Sequence, residues 1–355
     1  RTLHVDLGQN WRGGQSQALL LMEGLRQRGQ RVELAAPAGS PLAVKAGKKG
    51  FQLYPLPAGG SVIASAVQLR GLRSRGYDVV HTHDAAALTA IWLAGLHTKS
   101  RLVAARRLAH PLSKFPWAMA RFRAAHRVIA ISEFVRQSVL ASGVAPAQVE
   151  VVYDGVPAEA PAGSGEKRVL KRLWGCSGTT ALIGCVGYLL PEKGQEILVR
   201  AMPQILQKAP EVRLVLAGDG PCRKQLVRLA EDLGISTAVV FAGHVDDVSQ
   251  VYRALDVFVF PSLAEPLGSS LLAAMAYGLP VVAASGGAVP EVISSGQNGL
   301  LVEAGNAGAL AEAVVRLLVD SELAARLASA ARATIENRFT ADRMVEETLR
   351  IYVSA

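Results

Sequence analysis

Phe260-Pro-Ser-Leu-Ala-Glu-Pro-Leu-Gly-Ser-Ser-Leu-Leu-Ala-Ala-Met-Ala-Tyr-Gly-Leu-Pro-Val-Val-Ala-Ala284 contains the unit from which the rest of the chain can be read. The apolar run Val257 to Phe260 is too short for a helix and stops at Pro261, which reads as a buried strand. A short acidic loop around Glu265 follows. Gly268, Ser269 and Ser270 then open an apolar helix that ends near Gly278, and Val281 to Ala284 form the next buried strand. A strand, a helix and a second β-branched strand make a βαβ unit of a parallel sheet.

The same alternation runs through the whole chain. Leu3 to Leu7, Val32 to Ala36, Asp78 to Thr82, Leu102 to Ala105, Val128 to Ile131 and Val149 to Tyr153 read as a first set of strands. The helix after the first has Ala18, Met22 and Leu25 at i, i+4 and i+7, which gives it one apolar face. Gly155 to Gly165 is rich in Pro and Gly, follows neither period and reads as a hinge or linker. Beyond it the series restarts with Ala181 to Val186, Arg213 to Ala217, Val239 to Phe241, Val257 to Phe260, Val281 to Ala284 and Gly299 to Val302. The expected fold class is α/β, with two doubly wound parallel sheets: a first domain over 1–157, a second over 158–338, and a C-terminal helix over 339–355 that packs back on the first. Folds of this kind bind ligands in a cleft at the carboxyl ends of their strands.

Composition narrows the function. Half of the 355 residues are hydrophobic and 19% are charged, which suits globular domains and not long disordered tracts. No apolar run approaches the roughly 18 to 20 residues of a membrane span, and no charged-then-apolar leader is visible, so neither a span nor a secretory signal is expected. Cys176, Cys185 and Cys222 are odd in number and are spaced like neither a zinc site nor a redox pair. Reduced thiols and a cytoplasmic location are the expectation. Residues 1–160 carry 20 Lys/Arg against 9 Asp/Glu, or +11, and residues 161–355 carry 18 against 20, or −2, which together give the net +9.

The free N–H groups of the helix turn at Gly268 to Ser270, with the positive end of the helix dipole, suit a diphosphate without any need for lysine. Alone, Gly-Ser-Ser is a helix cap. Its surroundings resemble the donor motif of glycosyltransferase family 4, in which Glu-x7-Glu precedes an alanine-rich helix, Gly-x-Pro-Val-Val-Ala and a Gly-Gly-x-x-Glu turn. The matching residues here are Glu265, Met275-Ala276, Gly278 to Ala284 and Gly286 to Glu291. Val186-Gly187-Tyr188-Leu-Leu-Pro-Glu-Lys193-Gly194 is similar to the family's Gly-Arg-Leu-x-x-Glu-Lys-Gly loop. Ala217-Gly218-Asp-Gly220-Pro221, Phe241-Ala-Gly243-His244-Val245 and Val151 to Val156 resemble its next loop, its base-binding turn and its interdomain strand.

The resemblance implies the GT-B fold and a metal-independent, retaining transfer of a sugar from a nucleoside-diphosphate donor to a hydroxyl acceptor on a lipid, glycan or metabolite, with no cofactor. In it Lys193, Tyr188, Gly187, Gly218, Gly220, Leu267, Gly268, Ser269 and Ser270 contact the donor, Gly243, His244 and Val245 hold its base, and Glu265 orients its sugar. Gly13 and Gly14, at a turn after the first strand, close over the phosphates from the opposite domain. A histidine at the end of the Asp78 to Thr82 strand, His81 or His83, contacts the donor sugar or the reacting centre. Two positions depart from the pattern: Ala273 stands where the second glutamate belongs, and Tyr188 replaces the loop arginine. A silent sugar-nucleotide-binding protein of the same fold is the alternative these departures raise. A nonhydrolysing epimerase shares the fold but not the Glu265 motif.

Other signatures are weak or missing. Gly218-Asp-Gly220 lacks the third glycine of a dinucleotide fingerprint, Arg223 standing in its place, and no P-loop, zincin or G-x-S-x-G motif occurs. Asp246 and Asp247 are adjacent and make no D-x-D. His81 and His83 share a strand face, but no third ligand lies at suitable spacing, so no metal is expected. From Ala85 to Ser132 there is no acidic residue and there are eight basic ones, Lys99, Arg101, Arg106, Arg107, Lys114, Arg121, Arg123 and Arg127, interleaved with Phe115, Trp117 and Phe122. One reading is a surface for an anionic membrane or acidic acceptor through 99–127, with Arg106 and Arg107 on the acceptor side. The other is a solvated basic face. Nucleic acid is not expected, since no recognised binding module accompanies the charge.

Overall fold

A computed structural model describes residues 1–112, 115–177 and 180–354. Lys114 of the basic segment and Ala355 of the C-terminal helix lie outside the described residues. The chain divides into two compact units, Arg1–Gly155 with Ala341–Ala355, and Val156–Thr340.

The first unit has one parallel sheet of seven strands: β1 (Thr2–Val5), β2 (Val32–Pro37), β3 (Gln52–Leu56), β4 (Val79–Thr82), β5 (Arg101–Arg106), β6 (Arg127–Ala130) and β7 (Val149–Val151). They lie in the order β3-β2-β1-β4-β5-β6-β7. The second unit has six: β8 (Leu182–Val186), β9 (Arg213–Ala217), β10 (Val239–Gly243), β11 (Val257–Phe260), β12 (Val281–Ala284) and β13 (Leu300–Val302), ordered β10-β9-β8-β11-β12-β13. Every pairing is parallel. Helices cover both faces of such sheets, so central strands are apolar on both sides, and the four residues of β11 are all buried.

The strand expected to run on to Leu7 ends at Val5, because Asp6 and Leu7 already turn into the loop. One strand is absent from the sequence reading. β3, Gln-Leu-Tyr-Pro-Leu, contains a proline and only Leu56 of it is buried. It occupies the sheet edge, where a missing N–H costs no ladder bond. In the helix Gly13–Gln27, Ala18, Met22 and Leu25 are fully buried and share a core with Met344, Val345, Ile351 and Tyr352 of the C-terminal helix Ala341–Ser354. That helix thereby closes the first unit although it follows the second in sequence. The second unit has its own core around Met202, Leu214, Val259, Val282 and Val314.

In each sheet the strand order reverses once, between β1 and β4 and between β8 and β11. The loops leaving the carboxyl ends of those strands diverge there, and that is where doubly wound sheets take ligands.

Candidate functional site

In the second unit, β8 runs into the loop Gly187 to Gly194 and β11 into the loop Pro261 to Gly268. The two loops are tied by Leu263 N–H donating to Glu192 O at 2.9 Å. Lys193 Nζ donates to Glu265 Oε2 at 2.7 Å across them. Glu265 is buried, and its backbone is fixed by a bridge to Gly287 and by Ala288 N–H donating to its carbonyl at 2.8 Å. A Cβ on Gly287, which has φ +63°, would stand 2.3 Å from that carbonyl oxygen, so only glycine lets the backbones approach this closely.

The helix Ser269–Ala276 starts beside this pair. Gly268 precedes it at φ +102°, and no side chain caps its first turn. Three to four helix-start N–H groups have no partner within a helix. Ser269 is exposed and Ser270 half-exposed. Leu267 is 1% exposed, so its side chain belongs to the core and only its backbone is available.

The remaining glycines of the motif lie along the same sheet edge. Gly187 N–H donates to Ala217 O at 2.9 Å and Gly218 N–H to Gly243 O at 2.8 Å, which joins the ends of β8, β9 and β10. Gly218 has φ +141°, and a Cβ there would fall 1.9 Å from Gly187 O. Gly220 N–H turns back on its neighbour, the Asp219 carboxylate. Tyr188 is 45% exposed, Val245 is half-exposed, and His244 is exposed, with Nε2 3.4 Å from Asp246. Ala273 lies on the helix and is half-buried.

The first unit differs in kind. Gly13 and Gly14 do not form a turn: they are the first residues of the helix Gly13–Gln27, and the loop runs from Asp6 to Arg12. The reason is local, since neither glycine has a positive φ and Ser16 N–H already donates to Arg12 O. Their own N–H groups are the ones left without an intrahelical acceptor. Asp6 holds the loop through Gly8 N–H at 2.8 Å and Gln15 Nε2 at 3.1 Å. Burial and then the neighbouring Asp84 charge push its carboxyl up to about 6.

His81 and His83 point to one face, as the alternation requires, and both are buried. The expectation of no third ligand needs correction, because strand pairing brings His4 of β1 directly opposite His81. One nitrogen from each of the three rings lies within 4.8 Å of the others. Spacing could not reveal this, since the contact is set by sheet order and not by sequence distance. His81 Nδ1 is 2.6 Å from Tyr352 Oη, and His4 Nδ1 is 2.9 Å from His83 Nε2. Burial pushes His4 down to about 3 and holds His81 and His83 well below the usual histidine range, which favours the uncharged form of all three rings.

The two arginines assigned to the acceptor side are already engaged. Arg107 forms an ion pair with the buried Asp154, whose carboxyl is raised by burial against the opposing arginine charge. Arg106 donates to His110 O, and burial, then Arg121, lowers its guanidinium. Of the aromatics in the basic segment, Phe122 is core, while Phe115 and Trp117 are 66% and 55% exposed. Arg121 lies 5.4 Å from the Trp117 ring centroid. Among the described residues no helix is long and apolar enough to cross a membrane.

Residues 168–334 match the family model for glycosyl transferases group 1, and residues 11–160 match that for Glycosyltransferase Family 4. An uncharacterized glycosyltransferase from Methanocaldococcus jannaschii is 34% identical over 64% of this chain and 59% of its own. A GDP-mannose-dependent monoacylated alpha-(1-6)-phosphatidylinositol monomannoside mannosyltransferase from Corynebacterium glutamicum is 33% identical over 55% of this chain and 52% of its own. The D-inositol 3-phosphate glycosyltransferase of Mycobacterium bovis is 31% identical over 76% and 60%. The chain thus spans between half and two thirds of the length of these relatives. Among solved structures, Anabaena HepE in complex with UDP and glucose superposes over 100% of this chain and 99% of its own with a TM-score of 0.86 at 24% identity. Sucrose-phosphate synthase from Thermosynechococcus elongatus does so over 100% and 98%, with a TM-score of 0.79 at 21% identity. With each half matched in turn and the fold shared from end to end, the chain belongs to the group 1 glycosyltransferases of family 4, with two Rossmann-like domains of the GT-B fold.

Proposed function

We propose that this protein is a metal-independent, retaining glycosyltransferase that moves a sugar from a nucleoside-diphosphate donor to a hydroxyl acceptor. The observation that carries the reading is the Lys193–Glu265 pair, held 2.7 Å apart at the strand-order reversal and beside the uncapped start of the helix Ser269–Ala276. As the sugar leaves, negative charge grows on the diphosphate. The helix-start N–H groups and Lys193 are placed in advance to stabilise that charge, the kind of preorganised electrostatics that gives the largest catalytic terms. Glu265 accepts from the donor sugar and, before donor arrives, keeps Lys193 in position. The departing phosphate takes the acceptor proton, so no side-chain base is required.

The first unit supplies the acceptor side. Its +11 charge and the exposed Phe115 and Trp117, with Arg121 and Arg123 on the same helix as Trp117, suit an anionic lipid or glycan, and peripheral contact with an anionic membrane. The relative named for a phosphatidylinositol monomannoside supports an anionic lipid, and the one named for D-inositol 3-phosphate an anionic metabolite, as acceptor. Ala273 favours a second reading, a protein that binds sugar nucleotide and does not turn it over. Incubation with UDP-, GDP- and ADP-sugars, following nucleoside diphosphate release with and without lipid and glycan acceptors, decides between them. Release from one donor supports transfer, and binding without release from any donor supports the silent protein.

A further inference from the structure

His4, His81 and His83 form a buried cluster for which neither the donor chemistry nor the fold accounts. Their ring centroids are 4.5 to 5.4 Å apart, and all three side chains are at most 4% exposed. In such surroundings an imidazole stays neutral and carries one proton on one of its two nitrogens. The contact between His4 Nδ1 and His83 Nε2, 2.9 Å, is a hydrogen bond between two such rings, so one nitrogen must donate and the other accept. Each choice fixes the opposite character at the far side of His83. If Nε2 accepts, Nδ1 carries the proton, and if Nε2 donates, Nδ1 is a lone pair. His83 Nδ1 is buried and has no partner among the described residues. His81 Nδ1 is 2.6 Å from Tyr352 Oη, a hydroxyl that can donate or accept, and His81 Nε2 and His4 Nε2 are, like His83 Nδ1, buried with no partner among the described residues.

A metal is the obvious competing explanation for three adjacent histidines. Bound through the facing nitrogens it would take the lone pairs of both His4 Nδ1 and His83 Nε2; bound through the far nitrogens it would need lone pairs on both His4 Nε2 and His83 Nδ1, one of which the hydrogen bond between neutral rings leaves protonated. Hydrogen bond and three-histidine metal are therefore alternatives, which the coupling and the zinc content measured below separate.

We propose that His4 is a positioning residue that sets the tautomer and ring orientation of His83, so that His83 Nδ1 presents one defined hydrogen-bonding character at the carboxyl end of β4. This rests on the reading that His83, not His81, faces the reacting sugar. His81 stacks on His83 and its contact with Tyr352 ties the cluster to the C-terminal helix, so the geometry depends on three segments far apart in sequence.

The test labels the histidine rings of the wild-type protein with nitrogen-15. The expected result is a single His83 tautomer and a scalar coupling across the His4–His83 hydrogen bond. His4→Phe removes the bond and should give a mixed His83 tautomer, and His4→Gln, which can still donate or accept, should keep one tautomer. In the release assay His4→Phe should lower kcat by about 10- to 100-fold, the scale of a lost orienting partner, with donor KM changed by less than about threefold and partial recovery in His4→Gln. An unchanged His83 spectrum in His4→Phe, no coupling in the wild type, or stoichiometric zinc in the purified protein would overturn the proposal. The coupling is read on the wild type alone, so it stands even where His4→Phe does not fold. A protein that shows the coupling and one tautomer but releases no nucleotide would instead refute the transferase reading.

Discussion

The two sheets reverse their strand order at equivalent places and equip those places differently. At β8 and β11 the work falls to backbone: glycines packed onto carbonyl oxygens, an uncapped helix start and one ion pair. At β1 and β4 it falls to buried side chains, with three neutral histidines, Asp6, and Arg107 paired to Asp154. A diphosphate is similar in every donor, and rigid N–H groups recognise it with little dependence on side-chain identity. On the proposed function, the acceptor hydroxyl and the reacting sugar would meet the side chains of the first unit.

The largest expected contrast is in pH dependence. Burial lowers the three histidines in the folded state, so below the ordinary value of 6.5 the unfolded chain takes up protons that the folded chain refuses. Their stabilising contribution is complete above about pH 6.5 and is lost as pH falls towards the folded values. Asp6 and Asp154 are raised and act in the opposite sense, so three protons less two leave at least one. The first unit should therefore lose about 1.4 kcal/mol per pH unit or more below pH 6.5. The second unit, whose one histidine is the exposed His244, should not. Pulse proteolysis at pH 7.5 and 5.0 with fragments assigned to each unit measures this, and equal loss in both would break the contrast.

A smaller effect sharpens it from the other side. Gly218→Ala forces a Cβ to 1.9 Å from Gly187 O at φ +141° and should cost about 2–3 kcal/mol of thermal stability. Gly14→Ala meets only Arg107 Cδ at 3.4 Å, within an ordinary helix, and should be neutral or stabilising by about 0.5 kcal/mol. Smaller still, Ala273→Glu restores a carboxylate on the donor-side helix and should tighten nucleoside diphosphate binding by about 1.5 kcal/mol, roughly tenfold, in calorimetry. No gain would mean that this chain holds its nucleotide without a ribose-binding acid.

Legibility followed the same division. The second unit's candidate residues are legible because they lie in short local patterns: Lys193 in one loop, and Glu265 with Gly268 in another. The first unit's buried cluster is legible only in part. His81 and His83 stand on one strand, but His4 joins them through the pairing of β1 with β4, and Tyr352 through a helix that returns from the far end of the chain. No periodicity records either contact. Most strands were plain from their β-branched runs, while β3 was hidden by Pro55 and by side chains that an edge strand need not bury.

The proposed action of Lys193 and Glu265 on a bound donor is checked by nucleoside diphosphate release from the best-bound sugar nucleotide, compared among wild type, Lys193→Ala and Glu265→Gln. Turnover is expected in the wild type, with a fall of about 10²- to 10³-fold in each variant and nucleotide binding largely kept in Glu265→Gln. Variants that release as fast as the wild type, or a wild type that binds every donor tested and releases none, would contradict it.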